Sequence, residues 1–270
     1  MTNFLSKNDK QISEEFEKNG FLVKEVEEKN SLFKIRELFL KCIKKKIRAK
    51  FKFKKNDDIL NLLHKNINSD EINDFRLEVI NEVNRKKELR ELYYLVAKKY
   101  LNSLVGNELA MQLRVNVSIQ LPNDKSSLLP LHSDVWSGDS PFEIVVWLPL
   151  VDCYKTKSMY ILPPNKYDKI KKFFLNKESS SSEKIFNKIK KDLKWINIKY
   201  GQILLFNQCL PHGNIVNKEN ETRWSLNCRF KGIFTPYNDK KIGEFFEPIT
   251  LRKISEYGIR YKLPKTNEES

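Results

Sequence analysis

The sequence has few cysteines, and their spacing excludes two classes of small, cross-linked protein. Only four occur among 270 residues, and no two of them form a Cys-X-X-Cys pair; they are Cys42, Cys153, Cys209 and Cys228. A disulfide framework and a zinc ribbon are therefore not expected. The expectation that follows is a reduced protein of the cytoplasm.

Long hydrophobic runs are also lacking. The longest strongly apolar stretch covers 144–151 and is interrupted by Pro149, whereas a membrane-spanning helix needs about 18 or more apolar residues. Residues 1–11 are polar and contain no apolar core of the kind that marks a secretory signal. The sequence therefore predicts neither a membrane span nor a secretory leader.

Proline is missing from the first part of the chain. All ten prolines lie at or after Pro122, and proline is the strongest helix breaker. Apolar residues at three- and four-residue spacing predict an amphipathic helix over 31–48 and one or two helices over 70–104. Short β-branched or aromatic runs predict strands over 111–121, 142–150, 158–162, 193–198, 202–206 and 224–234.

These patterns predict one mainly β domain of the α+β class. A helical layer at 16–110 packs on a barrel or sandwich at 111–235, which is interrupted by a helical insert at 166–194 with a serine-rich loop at 178–183. Residues 1–15 are expected to be a flexible N-terminus. The domain is expected to cover 16–250, and residues 251–270 to form a C-terminal tail.

The excess of positive charge is confined to two segments. The formal net charge is +15. Segment 41–55 has nine basic and no acidic residues, and segment 166–194 has ten lysines against four acidic residues. Solvated lysine surfaces explain this pattern better than a nucleic-acid partner, because the sequence has no arginine-rich or RNP-like signature. An anionic partner for these surfaces is the alternative.

Histidine is scarce, and two of the three histidines belong to one pattern. His132 and Asp134 form a His-X-Asp motif, and His212 follows 78 residues after Asp134. Residues i and i+2 of an extended segment point the same way, so this pair can reach one metal, with His212 supplied by a neighbouring strand. Two imidazoles and one carboxylate suit Fe(II) and leave positions open. Taken alone, the motif is more often a turn histidine and a solvated aspartate, and His64 is expected to be an ordinary helix residue.

A candidate carboxylate anchor follows the second histidine. Arg223 lies eleven residues after His212 in a predicted strand region, and Ser225 faces the same side at i+2. A guanidinium grips a carboxylate through two parallel hydrogen bonds, and a hydroxyl can add a third. A surface cation is the alternative for Arg223 taken alone. If Arg223 is not the anchor, Arg229 or Arg114 is the next candidate.

The order of these residues resembles that of the Fe(II)- and 2-oxoglutarate-dependent oxygenases, whose fold is the double-stranded β-helix, a cupin-like jelly roll. Their phytanoyl-CoA-hydroxylase-like branch is the most similar. The resemblance is carried by FEKNGFLVKEV at 16–26, LHSDVWSGDSPFEIVVWLPL at 131–150, SMYILPPNK at 158–166 and GQILLFNQCLPHGNIVNKENETRWSLNCRF at 201–230. Within the superfamily, HSDVWSGD followed by WLPL is most like bacterial oxygenases found with surface-carbohydrate biosynthesis genes.

The resemblance implies a jelly-roll hydroxylase that uses Fe(II), with 2-oxoglutarate and O₂ as co-substrates. His132, Asp134 and His212 would be the catalytic iron ligands, and Arg223 with Ser225 would hold the distal carboxylate of 2-oxoglutarate. An aspartate at position 134 favours hydroxylation over halogenation, since a halogenase needs a vacant position there.

Two further polar residues are candidates for contacts around the iron or the co-substrate. Gln120 precedes the metal motif and Asn227 lies on the strand of Arg223; solvent-facing strand residues are an equal alternative for both. SMYILPPNK stands where the family usually has a Pro-Gly-Ser-His stretch, so any role of that later His or Ser is absent here.

The substrate is the least determined feature. Trp136 and Asp139 follow the metal motif and are candidate substrate contacts for a sugar or polyol, or residues that pack a loop. The predicted reaction is hydroxylation of a small molecule, with a sugar or nucleotide-sugar of surface polysaccharide biosynthesis as candidate and the basic 41–55 segment as a receptor for an anionic part. The alternatives are an oxygenase acting on a nucleic acid or ribosomal protein, and a non-catalytic jelly-roll binding module. The complete triad with Arg223 argues against the module.

Overall fold

A computed structural model describes residues 4–47, 55–67, 70–168, 171 and 181–262 of the chain. The helices of these residues are α1 (Lys7–Asn19), α2 (Lys29–Lys46), α3 (Asn56–Asn61), α4 (Ile72–Asn84), α5 (Glu88–Leu95), α6 (Lys98–Leu104), α7 (Ser182–Ile189) and α8 (Lys253–Arg260). Short 3₁₀ turns cover Leu63–Lys65, Asp134–Ser137, Lys155–Lys157 and Pro164–Lys166. None of the described helices is both long and apolar enough to cross a membrane.

Two antiparallel sheets form the β-core. The strands are β1 (Phe21–Glu25), β2 (Leu109–Gln112), β3 (Asn116–Gln120), β4 (Glu143–Pro149), β5 (Tyr160–Ile161), β6 (Lys194–Trp195), β7 (Gln202–Asn207), β8 (His212–Gly213), β9 (Arg223–Gly232) and β10 (Phe246–Pro248). The main sheet has the order β1-β7-β4-β9-β2-β10, and β3 also pairs with β9. The minor sheet has the order β6-β5-β8. The predicted α+β class is confirmed.

The helical layer covers one face of the main sheet. Along β9 the side chains alternate, so that Trp224 and Phe230 face the helices. Trp224 is fully buried and meets Phe39 of α2 edge to face, with 6.3 Å between ring centroids. Tyr93 of α5 stacks on Phe230 and donates a hydrogen bond to Val146 O at 2.8 Å. One continuous apolar core therefore joins the helices to the sheet.

The first helix begins earlier than the sequence predicted. Residues 1–15 were expected to be flexible, yet α1 covers Lys7–Asn19 and buries Ile12. Ser6 stabilises the start of α1, because its hydroxyl accepts a hydrogen bond from the Asp9 amide at 3.1 Å. Gly20 ends α1 with φ at +74°, a conformation that glycine adopts at low cost.

The predicted strand 111–121 is two strands. Met111 pairs with Phe230 and Asn116 pairs with Asn227, so the segment carries two more residues than the stretch of β9 beside it. The extra residues form a bulge, which bends the strand. The Asn84 side chain holds it by accepting from the Val115 amide at 2.9 Å and donating to the Val115 carbonyl at 3.0 Å.

The insert and the tail also differ from expectation. In the insert 166–194, α7 begins inside the serine-rich segment, because the Ser181 hydroxyl caps the Lys184 amide. Ile185 and Ile189 of α7 are buried in a second apolar cluster with residues of the minor sheet. Residues 178–180 of the predicted loop lie outside the described part of the chain. The predicted tail 251–270 contains α8.

Candidate active site

Backbone pairing between two distant segments brings the three candidate metal ligands together. His132 and His212 form a two-way bridge, in which the His132 amide donates to the His212 carbonyl at 3.0 Å and the reverse bond is 2.8 Å. Asp134 starts a 3₁₀ turn rather than continuing a strand, and its amide donates to Gln208 O at 3.2 Å. One ligand atom from each of the three residues lies within 4.8 Å of the others.

The imidazole rings are held in the orientation that metal binding requires. Nδ1 of His132 lies 2.7 Å from the carbonyl oxygen of Pro130, and Nδ1 of His212 lies 2.9 Å from that of Leu210. A carbonyl oxygen only accepts, so each Nδ1 carries a proton, and in the neutral ring Nε2 keeps the lone pair. These two Nε2 atoms lie 3.5 and 3.8 Å from Oδ1 of Asp134. This pattern is typical of metal-binding histidines.

The charge states of Asp134 and His212 also suit a metal, whereas for His132 the effect of burial is outweighed by the Asp134 carboxylate, which raises its pKa. Burial of Asp134 opposes its ionisation, but a protonated His132 or His212 ring and the Arg229 guanidinium lower its pKa well below the ordinary value. Burial lowers the pKa of His212 to about 4, despite the attraction of Asp134. An ionised carboxylate and a neutral imidazole are the forms that coordinate a cation.

Gly213 lets the segment that carries His212 pack closely against the segment that carries His132. A Cβ atom at this position would lie 2.7 Å from the carbonyl oxygen of Leu129 and 2.7 Å from the hydroxyl of Tyr160. Any side chain would therefore push His212 and its neighbours away from the segment that carries His132.

Arg223 is a buried cation without an ionic partner among the described residues. Its side chain is 2% exposed; Nη1 donates to Ser158 O at 3.1 Å and Nη2 to the Ser118 hydroxyl at 2.8 Å. Burial lowers the pKa of Arg223 to about 10. An unpaired buried charge is costly, so this position favours an anionic ligand.

Several buried polar atoms around Arg223 also lack hydrogen-bond partners in the described part of the chain. They are Nε of Arg223, Oγ of Ser225, Oγ of Ser158 and Oε1 of Gln120. Ser225 faces the same side of β9 as Arg223, as predicted, and Gln120 pairs directly opposite Arg223. Gln120 also donates to Ile215 O at 2.7 Å. Arg223 borders the cavity that also contains the triad, whereas Ser225, Ser158 and Gln120 are not among the residues that line it.

One cavity of about 220 Å³ connects the triad with Arg223. Its lining includes His132, Asp134, His212, Arg223, Asn116, Ser118, Trp147, Met159, Phe206, Asn214, Asn227 and Arg229. Asn227 thus lies where the sequence placed it, although its amide oxygen already accepts from Asn116 at 2.9 Å. The donor set fits one divalent cation next to an anionic small molecule.

The two candidate substrate contacts are not brought into the cavity. Asp139 is 1% exposed and forms ion pairs with Lys240 Nζ at 2.5 Å and Arg229 Nε at 3.2 Å, although its Oδ1 accepts no hydrogen bond from the described residues. The prediction of Asp139 as a substrate contact is corrected by this ion pairing. Trp136 lies on the 3₁₀ turn after Asp134, is 39% exposed and is not among the lining residues.

Arg229, which the sequence offered only as a substitute anchor, contacts the candidate metal ligand Asp134. Arg229 lies on the same face of β9 as Arg223, six residues along the strand. Its Nη2 is 3.0 Å from Oδ2 of Asp134, the carboxylate oxygen that the imidazoles do not approach. The alternation of β9 was the available signal; the partner was not visible, because Asp134 is distant in sequence.

The described part of the basic segment lies behind the main sheet. Helix α2 packs on the face that carries Trp224, whereas the cavity is on the face that carries Arg223. Lys46 is engaged by Glu78 at 2.6 Å and Glu82 at 3.7 Å. This surface therefore does not flank the mouth of the cavity. Residues 48–54 lie outside the described part of the chain.

The fold is similar to that of solved non-heme enzymes at low sequence identity. A non-heme monooxygenase, ThoJ in complex with nickel, superposes with a TM-score of 0.52 at 14% identity, covering 96% of this chain and 89% of that one. SnoK, a non-heme alpha-ketoglutarate-dependent carbocyclase from nogalamycin biosynthesis, gives 0.53 at 12% identity over 92% and 97%. EctD from S. alaskensis gives 0.52 at 11% identity over 88% and 81%.

These likenesses establish the fold, which is the expected jelly-roll core. No protein-family model matches the sequence, and no curated protein matches it significantly.

Proposed function

We propose that this protein is an Fe(II)- and 2-oxoglutarate-dependent dioxygenase that hydroxylates a small molecule. One observation carries the proposal: two imidazole Nε2 atoms and one carboxylate oxygen converge in the same cavity as a buried arginine without an ionic partner among the described residues. Two imidazoles and a carboxylate with open positions are the donor set of non-heme Fe(II) oxygenases. The jelly-roll relatives named above include an alpha-ketoglutarate-dependent enzyme, which supports the proposal.

Each residue has a defined task in this proposal. His132, Asp134 and His212 would hold Fe(II), and Arg223 with Ser225 would bind the distal carboxylate of 2-oxoglutarate. Bound Fe(II) supplies the redox chemistry by which O₂ and 2-oxoglutarate convert a C–H bond to C–OH, with release of succinate and CO₂. The apolar walls at Val145, Trp147, Met159 and Phe206 would limit water in the cavity.

For the substrate we propose a polar small molecule, with a sugar or nucleotide-sugar of surface polysaccharide biosynthesis as the first to test. Amide side chains of Asn116, Asn214 and Asn227 line the cavity beside Trp147. Amides and an aromatic face together suit a polyhydroxylated ligand. The position of α2 behind the sheet disfavours the alternative of a nucleic acid or ribosomal protein bound through that surface.

We also propose that the protein acts in the cytoplasm. All four cysteines are free, and Cys42, Cys153 and Cys228 are buried. Buried free thiols are typical of proteins from reducing compartments.

The test is a titration with metal followed by co-substrate. Anaerobic isothermal titration with Fe(II), or with Mn(II) as a surrogate, should give about one site per chain. In air, Fe(II) and 2-oxoglutarate should yield succinate slowly even without substrate. His132→Ala and His212→Ala should lose both properties, because each removes one of only three ligands.

His64→Ala is the matched control. It is the third histidine, it lies outside the cavity, and its Nδ1 is 3.1 Å from the Thr222 hydroxyl. This variant should keep parental metal affinity. Equal metal affinity in all three variants and the parent would place the metal elsewhere and overturn the proposal.

A further inference from the structure

We propose that Arg229 is a positioning residue that fixes the Asp134 carboxylate so that only one of its oxygens is presented to the metal. The inference rests on the proposed function, because it assumes that Asp134 is a metal ligand. It goes further by assigning a role to Arg229, Asp139 and Lys240, which the proposed reaction does not use.

The two oxygens of Asp134 have different partners. Oδ1 lies 3.5 Å from His132 Nε2 and 3.8 Å from His212 Nε2, on the side where the three ligands converge. Oδ2 lies 3.0 Å from Arg229 Nη2. The contact is a close ion pair between two largely buried side chains, and its attraction acts mainly on Oδ2. It therefore resists rotation of the carboxylate into a position where both oxygens could bind the metal.

Arg229 is itself held on several sides. Its Nε lies 3.1 Å from Gln208 Oε1 and 3.2 Å from Asp139 Oδ1. Gln208 is fully buried and donates to Glu143 Oε2 at 2.9 Å. The bulge between β2 and β3 contributes as well, because Gln112 Oε1 accepts from the Arg229 backbone amide at 3.3 Å. The guanidinium has little freedom to follow a moving carboxylate.

The charges alternate along this network. Asp134, Arg229, Asp139 and Lys240 are linked in that order, with 3.0, 3.2 and 2.5 Å between successive charged atoms. Asp139 neutralises much of the Arg229 charge, so Arg229 can hold Asp134 without cancelling the negative charge that a cation needs. Lys240 comes from a loop that contacts the metal motif, since the Asp239 amide donates to Gly138 O at 3.2 Å.

A carboxylate that binds through one oxygen leaves more of the metal free for other ligands. The proposed reaction needs those open positions for the co-substrate and O₂. Arg229 would therefore influence both the affinity and the geometry of the bound metal. Loss of such a partner typically weakens metal affinity about 10- to 100-fold.

The experiment compares metal binding by the full chain and its Arg229→Met and Arg229→Lys variants. Mn(II) affinity is measured by anaerobic isothermal titration, and the visible spectrum of the Co(II) form reports the metal geometry. We expect Arg229→Met to bind Mn(II) about 10- to 100-fold more weakly and to shift the Co(II) bands. Arg229→Lys should have a Mn(II) affinity between those of the parent and Arg229→Met, because lysine keeps the positive charge but lacks the planar guanidinium.

Arg114→Met is the matched control. Arg114 is exposed, donates to Asn81 Oδ1 at 2.9 Å and lies outside the cavity. Its Mn(II) affinity and Co(II) spectrum should be parental. In the Asp134→Asn background, Arg229→Met should cause little further loss, because the contact it removes is already altered.

Parental Mn(II) affinity and an unchanged Co(II) spectrum in Arg229→Met would overturn the positioning role while leaving the metal site intact. If that variant does not fold, the same two readings on Arg229→Lys decide the question. A parent protein that binds neither Mn(II) nor Co(II) would instead refute the proposed function.

Discussion

At the two candidate metal-binding histidines, the protonation of each ring is set by one backbone carbonyl. The Pro130 and Leu210 carbonyls occupy Nδ1 of His132 and His212, so both Nε2 atoms face Asp134 before any metal arrives. This organisation depends on local backbone geometry two residues upstream of each histidine. The His-X-Asp motif and His212 could be named as candidate ligands from the sequence, but their spacing could not predict the ring orientation.

Arg223 is the residue whose replacement should most clearly weaken the binding of 2-oxoglutarate. Truncating one partner of a buried charged pair typically costs about 2–5 kcal/mol of binding, which is roughly 30-fold or more in affinity. The KM for 2-oxoglutarate, measured by succinate release, should rise from the parent to Arg223→Lys to Arg223→Ala. Mn(II) affinity without co-substrate should stay near parental. An unchanged KM in Arg223→Ala would move the anchor to another residue.

The variant Gly213→Ala tests whether close packing around His212 is needed for stability and metal binding. In Gly213→Ala the new methyl group would press on the Leu129 carbonyl and the Tyr160 hydroxyl. Overpacking of this kind costs about 1–3 kcal/mol, so the urea midpoint should fall, and Mn(II) should bind more weakly because His212 is displaced. Gly258→Ala is the control: this helical glycine has open space around its Cβ position, and alanine there should stabilise by up to about 1 kcal/mol.

At the scale of elements, the alternation of side chains along β9 predicts which residues share a face with Arg223. Arg223, Ser225, Asn227 and Arg229 share one face, as a period of two requires. The break between β2 and β3 was not predictable, because 111–121 alternates without interruption. The bulge is held by contacts between segments that are distant in sequence: the Asn84 side chain binds Val115, and the Gln112 side chain accepts from the Arg229 amide. Such long-range contacts leave no local signature in the sequence.

Helix α2 should be dispensable as a charged surface. Its exposed lysines lie on the face of the main sheet opposite the cavity, and exposed charges at that separation are largely screened. The double variant Lys44→Glu, Lys45→Glu should therefore keep substrate-free 2-oxoglutarate turnover within about twofold of the parent. Lys46 is excluded from the change, because it pairs with Glu78 and Glu82. A collapse of succinate release in the folded double variant would mean that α2 contributes to the site.

On the scale of the whole molecule, the apolar core couples the helices to the sheet that carries the site. The prediction of a helical layer on a β-core could be made from proline distribution and periodicity alone. The folding of residues 7–15 into a helix could not be predicted, because Ile12 is an isolated apolar residue in a polar segment and is buried only by tertiary contacts. Function and stability are linked through β9, whose one face lines the cavity while the other packs against α2, α4 and α5.

Phe39→Ala tests this coupling. Phe39 is fully buried in α2 and contacts Trp224 of β9, and truncating a buried phenylalanine typically costs about 3–5 kcal/mol of unfolding free energy. Because the core is continuous, urea unfolding followed by far-UV circular dichroism and by tryptophan fluorescence should shift to lower urea by the same amount with both probes. Phe33→Ala is the matched control on the same helix: Phe33 is 58% exposed, and its loss should cost less than about 1 kcal/mol. Two separated transitions in Phe39→Ala would mean that the helical layer unfolds independently, and the single-domain prediction for 16–250 would then be wrong.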